Sequence, residues 1–246
     1  MNVLYVSDLD GTLLNDNQKV DMNVAKQINK LIDNGINFTI STGRGNSIKE
    51  ILKDIHFKIP VMVLNGALNY DFDKKEYVDS KAIPNKKVLE IIESFKGFSF
   101  EKFQIQTLVN NNLSCLAVSD WNRESDCLAF NILNTEERIE GEEEILSKIS
   151  GINFFLNKKV YSNNEWFCDI IAEGVSKASS LRDLKEKYRF DKIIAFGDSE
   201  NDLPLAEVAD EFYAVANAAD AVKQRAAGVI GSCHDNGVVN FIMQNS

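Results

Sequence analysis

Apolar residues early in the chain come in short unbroken runs, separated by stretches where they recur every three or four positions. Val3-Leu4-Tyr5-Val6-Ser7 is one such run, which predicts a strand buried on both faces. Val24, Ile28, Leu31 and Ile32 then fall on one helical face, and Gly35 predicts the helix C-cap. Residues 36–40 give a second buried strand. Ile48, Ile51, Leu52 and Ile55 give a second helix, and Val61-Met62-Val63-Leu64 a third strand. Strands alternating with helices predict an α/β fold built on a parallel, doubly wound (Rossmann-like) sheet.

That rhythm stops near residue 80. Residues 81–167 show one helical pattern (Val88, Leu89, Ile91, Ile92, Phe95) and strand-like pieces at 115–118, 128–132 and 153–156. A charged helical stretch, 136–149, lies between the last two. Such mixing predicts a separate α+β unit. The rhythm resumes with Cys168-Asp169-Ile170-Ile171-Ala172, read as a core strand, then a helix through Leu181 and Leu184 and a strand at 193–196. A helix, a short strand at 212–215 and two closing helices follow. The expectation is one core, residues 1–80 and 168–246, split by an inserted domain at 81–167.

Composition narrows the class. The chain's 246 residues are 44% hydrophobic and 26% charged, with three prolines and thirteen glycines, which suits a soluble globular protein rather than a disordered one. A net charge of −10 argues against nucleic acid as a partner. It leaves an anionic substrate open, because a metal ion reverses the potential locally. Two histidines and four cysteines without CxxC spacing argue against a zinc site and predict reduced thiols in the cytoplasm. No segment has the pattern of a signal peptide or a membrane span. Monomer and homodimer are both compatible with the sequence.

The chemistry gathers at strand ends, where open α/β sheets bind ligands. The first strand finishes in Ser7-Asp8-Leu9-Asp10-Gly11-Thr12, with Asp8 and Asp10 able to project to the same side. Carboxylates that close repel each other unless a cation sits between them, and Mg²⁺ suits an all-oxygen site. The plainer alternative is an Asp-rich turn with one residue as N-cap. The second strand ends in Ser41-Thr42-Gly43-Arg44, where a hydroxyl and exposed N–H groups suit a phosphate oxygen. The strand at 193–196 ends in Gly197-Asp198-Ser199-Glu200-Asn201-Asp202, which could equally be a helix start capped by Ser199. Lys177 alone reads as a solvated surface lysine. Together, four phosphate- and metal-seeking groups at successive strand ends favour one shared site.

Asp8-Leu9-Asp10-Gly11-Thr12-Leu13-Leu14 resembles the first signature of the haloacid dehalogenase superfamily. Thr42 in Ser-Thr-Gly-Arg resembles the second, Lys177 in Gly-Val-Ser-Lys the third, and Gly197-Asp198 with Asn201-Asp202 the fourth. Asn65-Gly66-Ala67, Asn217-Ala218 and Asp235-Asn236-Gly237-Val238 are similar to the Cof-like, type IIB branch. In that branch a C2 cap domain is inserted between the second and third signatures. Ala178 stands where the branch usually has glycine, and the inserted segment is short for it.

The resemblance implies a Mg²⁺-dependent phosphatase of small phosphorylated metabolites such as sugar phosphates. Asp8 would be the nucleophile and form an aspartyl-phosphate, and Asp10 the general acid and base. Asp8, Asp198 and the Asp10 backbone carbonyl would hold Mg²⁺, with Asp202 supporting it. Lys177, Thr42, Gly43 and Arg44 would bind the phosphoryl group, and Asn201 would orient Lys177 or the substrate. Arg123 and Trp121 are candidates for reading the leaving group, against a solvated loop. Rival readings are a phosphomannomutase-like isomerase, a receiver domain and a non-catalytic phosphosugar-binding regulator.

Overall fold

The computed structural model describes residues 1–98, 102–158 and 165–245, leaving aside the side chains of 135–140. The chain forms two compact units: Met1–Val78 with Ser176–Ser246, and Asp79–Val175. The first unit begins with β1 (Val3–Ser7), α1 (Met22–Asp33), β2 (Asn37–Ile40) and a single turn, α2 (Ile48–Ile51). Three short strands follow, β3 (Val61–Val63), β4 (Leu68–Asp71) and β5 (Glu76–Val78). The second unit holds α3 (Asn85–Ser94), β6 (Phe103–Val109), β7 (Asn112–Ala117), β8 (Ala129–Thr135), α4 (Glu136–Leu146), β9 (Ile152–Lys158) and β10 (Glu165–Ala172). The chain then returns through α5 (Lys177–Tyr188), β11 (Lys192–Gly197), α6 (Leu203–Ala206) and β12 (Glu211–Val215). It closes with α7 (Asp220–Arg225), β13 (Gly228–Ile230) and α8 (Gly237–Asn245).

The five-stranded sheet runs β13-β12-β11-β1-β2 and every pairing in it is parallel. β1, an interior strand covered on both faces, carries Leu4 and Val6 with no exposed surface, which is why the run reads as continuously apolar. Gly35, in the left-handed region at φ +92°, ends α1. Its N–H donates to the Ile32 carbonyl and that of Ile36 to Leu31, a Schellman closure that turns the chain into β2. β3 meets the parallel sheet through a bridge between Met62 and Ser41, and pairs antiparallel with β4, which pairs with β5. The second helix expected from Ile48 to Ile55 stops after one turn.

The second unit is an antiparallel sheet, β7-β6-β8-β10-β9, with α4 packed along β8 and β10. Phe103, Ile132 and Cys168 form one buried row across three strands, and Ile105, Phe130 and Ile170 the next. This corrects the reading of residues 168–172 as a core strand. They lie in β10, paired with β8 and β9, and the chain re-enters the first unit at Ser176 rather than at 168. The cause is local. A strand inside a covered antiparallel sheet shows the same Ile-Ile-Ala run as a strand inside a parallel one.

Candidate active site

β1 places Asp8 at its carboxyl end, and both neighbours hold it there. The Asp8 N–H donates to the Phe196 carbonyl of β11, and the Ser41 N–H beyond β2 donates to the Ser7 carbonyl, both at 2.9 Å. Gly11 then turns the chain at φ +75°. A Cβ there would stand 2.6 Å from Asp198 Oδ2, so the position needs glycine for both backbone and space. Asn217 Nδ2 fixes the same turn by donating to the Gly11 carbonyl at 2.7 Å.

Lys177 is the first residue of α5, behind a Ser176–Ser179 capping box. Far from being solvated, it is 2% exposed. Its Nζ donates to Asp8 Oδ1 at 2.6 Å and to Asp202 Oδ1 at 2.7 Å. The other Asp202 oxygen accepts from the N–H groups of Asp198 and Ser199, closing the loop after β11. Thr12 Oγ1 donates to Asp198 Oδ1 at 2.8 Å. Carboxylate oxygens of Asp8, Asp198 and Asp202 all lie within 4.8 Å of one another.

The electrostatics are those of an under-neutralised cluster. Burial pushes the Asp8 carboxyl well above its ordinary value; Asp202 and Asp198 add to the rise and Lys177 opposes it. Asp198 is pushed up to about 7, by burial first and Asp202 next. Burial acts to lower the Lys177 pKa, yet Asp202 and Asp8 outweigh it, so the ammonium is raised and stays charged. When all three aspartates are ionised, one lysine leaves two negative charges without a partner. A divalent cation with oxygen ligands fits that deficit and that donor set.

The remaining expected residues sit around this cluster. Asp10 lies outside the group of three, its carboxyl held by Arg44 through Nε at 2.7 Å and Nη2 at 2.5 Å. Arg44 Nη2 also donates to Gln18 Oε1 at 3.3 Å. Thr42 is buried, with its hydroxyl accepting from the Arg44 N–H at 3.1 Å. Gly43 abuts Asn65, whose Oδ1 a Cβ at Gly43 would approach to 3.0 Å. Asn201 Oδ1 accepts from Ser199 Oγ. In the second unit Trp121 is buried and Arg123 exposed, so the solvated-loop alternative holds for the arginine and not for the tryptophan. Thr12, Gln18 and Asn65 join the site beyond the expected residues. Thr12 stood within the first signature, while nothing local marks Gln18 as a partner of Arg44.

Comparison with known proteins gives the family. The profile of the haloacid dehalogenase-like hydrolase family matches residues 5–126 and 101–242. The chain belongs to that family and is an enzyme of its phosphatase type. Among curated relatives, a 5-amino-6-(5-phospho-D-ribitylamino)uracil phosphatase of Bacillus subtilis is 28% identical, over 98% of this chain and 96% of its own. A pyridoxal phosphate phosphatase of Escherichia coli is 24% identical, over 96% and 95%. In fold, a phosphatase of the same superfamily from Bacteroides thetaiotaomicron superposes with a TM-score of 0.80 at 23% identity, covering 99% of this chain and 95% of that one.

Proposed function

We propose that the chain hydrolyses small phosphate monoesters through an aspartyl-phosphate on Asp8, with Mg²⁺ held by Asp8, Asp198 and Asp202 and by the Asp10 carbonyl. The observation that carries this reading is the trio of carboxylates, Asp8 and Asp202 buried and Asp198 half-buried, served by a single lysine. Bound there, Mg²⁺ would neutralise phosphoryl charge and orient the ester.

An Asp8 oxygen forms the bond to phosphorus as the ester P–O bond breaks, and the leaving oxygen takes a proton from Asp10. Water then attacks the phosphorus, gives its proton to Asp10, and releases phosphate with Asp8 restored. For either transfer one Asp10 oxygen must come free of Arg44. Lys177 compensates charge beside Asp8, and Thr42, Gly43 and Arg44 receive the phosphoryl oxygens. Asn201 orients Lys177 or the substrate.

The relatives' substrates suggest phosphorylated sugars, sugar-like precursors and cofactor phosphates as the class. All four cysteines are free, which supports a reducing compartment, the cytoplasm. A panel of such esters assayed for free phosphate tests the reading, with Asp8→Asn as control. Phosphate release that needs Mg²⁺ and is lost in Asp8→Asn supports it. Wild-type release from Asp8→Asn, or full activity in excess chelator, would sink it.

A further inference from the structure

The first unit contains a cavity whose lining includes no residue of the Asp8 cluster. Its volume is about 760 Å³, and it lies between α2 with the turn after it, the segment leading to β3, and the β4–β5 hairpin. Lys49, Lys53, Lys58 and Lys75 line it against one acid, Asp73. In a chain of net charge −10, this is a local inversion of sign.

What sets these lysines apart is their convergence from separate chain segments on one cavity. Lys87, Lys96, Lys148, Lys185 and Lys192 each pair with a nearby carboxylate. Around the cavity Lys53 does so, with Glu50. Among the described residues Lys49, Lys58 and Lys75 form no ion pair, as holds for several surface lysines elsewhere, and Lys58 Nζ donates to the Ile32 carbonyl at 3.3 Å. The Lys49 ammonium instead lies 4.9 Å from the Tyr70 ring centroid and 4.5 Å from that of Tyr77. Burial lowers its pKa with no acid to offset the cost of the charge. The apolar wall is a chain of rings, Phe57 to Phe72 at 5.2 Å and Phe72 to Tyr70 at 4.8 Å. Phe72 is partly open to solvent.

We propose that this cavity binds a planar-ringed polyphosphate, of the nucleoside diphosphate or triphosphate class. Its phosphates would sit among Lys49, Lys58 and Lys75, and its ring against Phe72. Three cations supplied by three chain segments suit several phosphate charges rather than one. The volume falls within the range of pockets for metabolites of that size. The aromatic wall suits a stacked ring.

Calorimetric titration with ADP in excess chelator tests this, since no divalent ion is then present to draw phosphate to the Asp8 cluster. One ADP should bind per chain, with adenosine weaker by about tenfold or more, because the lysines read the phosphates. Lys49→Met keeps the stem across the two tyrosines and removes the charge, while Lys75→Gln changes an exposed turn. Each should weaken ADP by about tenfold and leave nitrophenyl phosphate turnover unchanged. Absence of ADP binding at millimolar concentration, undiminished binding in both lysine variants, or its loss in Asp8→Asn would overturn the assignment. None of these binding readouts depends on the chain being active.

Discussion

Arg44 grips both carboxyl oxygens of Asp10, with Nε at 2.7 Å and Nη2 at 2.5 Å. A guanidinium fork on a carboxylate sets the plane of the acid as well as its place. If Arg44 positions Asp10, the two residues act as one unit and their losses overlap. Arg44→Ala and Asp10→Asn should each lower kcat/KM by about 10²-fold or more, and the double variant should fall little below the worse single one. Measuring kcat/KM for all four forms decides it. Losses that multiply would show that the residues work independently.

Lys177 holds two buried carboxylates, so removing its charge strands both. Lys177→Met should lower stability by about 3–5 kcal/mol in metal-free protein, the usual cost of breaking a buried ion pair. Mg²⁺ should restore part of it by supplying positive charge to the same cluster. Urea midpoints with and without Mg²⁺ measure both effects. An unshifted midpoint would rule out the pairs as structural.

The raised Asp198 carboxyl predicts a pH dependence in metal-free protein. Its folded value is about 7 against an ordinary 3.8, so between these the native state binds the extra proton. The stability this contributes is present at low pH and is lost as pH rises through 7, by up to about 1.4 kcal/mol per pH unit. The groups acting on Asp198 are Asp202 and Asp10, which raise its pKa, and Thr12 and Lys177, which lower it. Denaturation between pH 5 and 8 should show a steeper fall for wild type than for Asp198→Asn, and Mg²⁺ should flatten it. Equal slopes for the two proteins would contradict the assignment.

Gly11→Ala tests the turn between Asp8 and Thr12. The new Cβ would meet Asp198 Oδ2 at 2.6 Å, and a positive φ adds about 1 kcal/mol of strain. The variant should fold with a loss of about 1–3 kcal/mol and bind Mg²⁺ about tenfold more weakly, because Asp198 is displaced. Wild-type Mg²⁺ affinity would show that Asp198 does not need its present position.

Asp8, Asp198 and Asp202 follow strand ends, which local apolar runs mark, whereas Lys177 reads locally as a surface lysine and joins them only through the resemblance of its surroundings to a family signature. The joining of Asp10 to Arg44 was not, since it depends on where a long side chain swings across two loops. The β4–β5 hairpin escaped for want of a marked turn: Asp71-Phe72-Asp73-Lys74-Lys75 contains no glycine, and Lys75 itself takes φ +57°. β6 shows clear alternation, with Phe103, Ile105 and Thr107 buried, yet it lies outside the expected strand-like pieces at 115–118, 128–132 and 153–156. Residues 168–172 were recognised as a strand but assigned to the wrong sheet, because burial on both faces carries no label of the partner strand.

The order of the parallel sheet also governs how the chain matures. β1 lies between β2 and β11, and its Val3 pairs beside Lys192. During synthesis, therefore, the first 78 residues emerge with one long side of β1 unmatched, and that side stays open until nearly two hundred residues have left the ribosome. The antiparallel unit is complete by Val175 and its strands pair with near neighbours in sequence, so it can close first. The nascent chain thus carries a finished middle before its ends can meet. An unpaired strand edge is therefore open from the appearance of β1 to the arrival of β11, the kind of edge on which nascent chains associate.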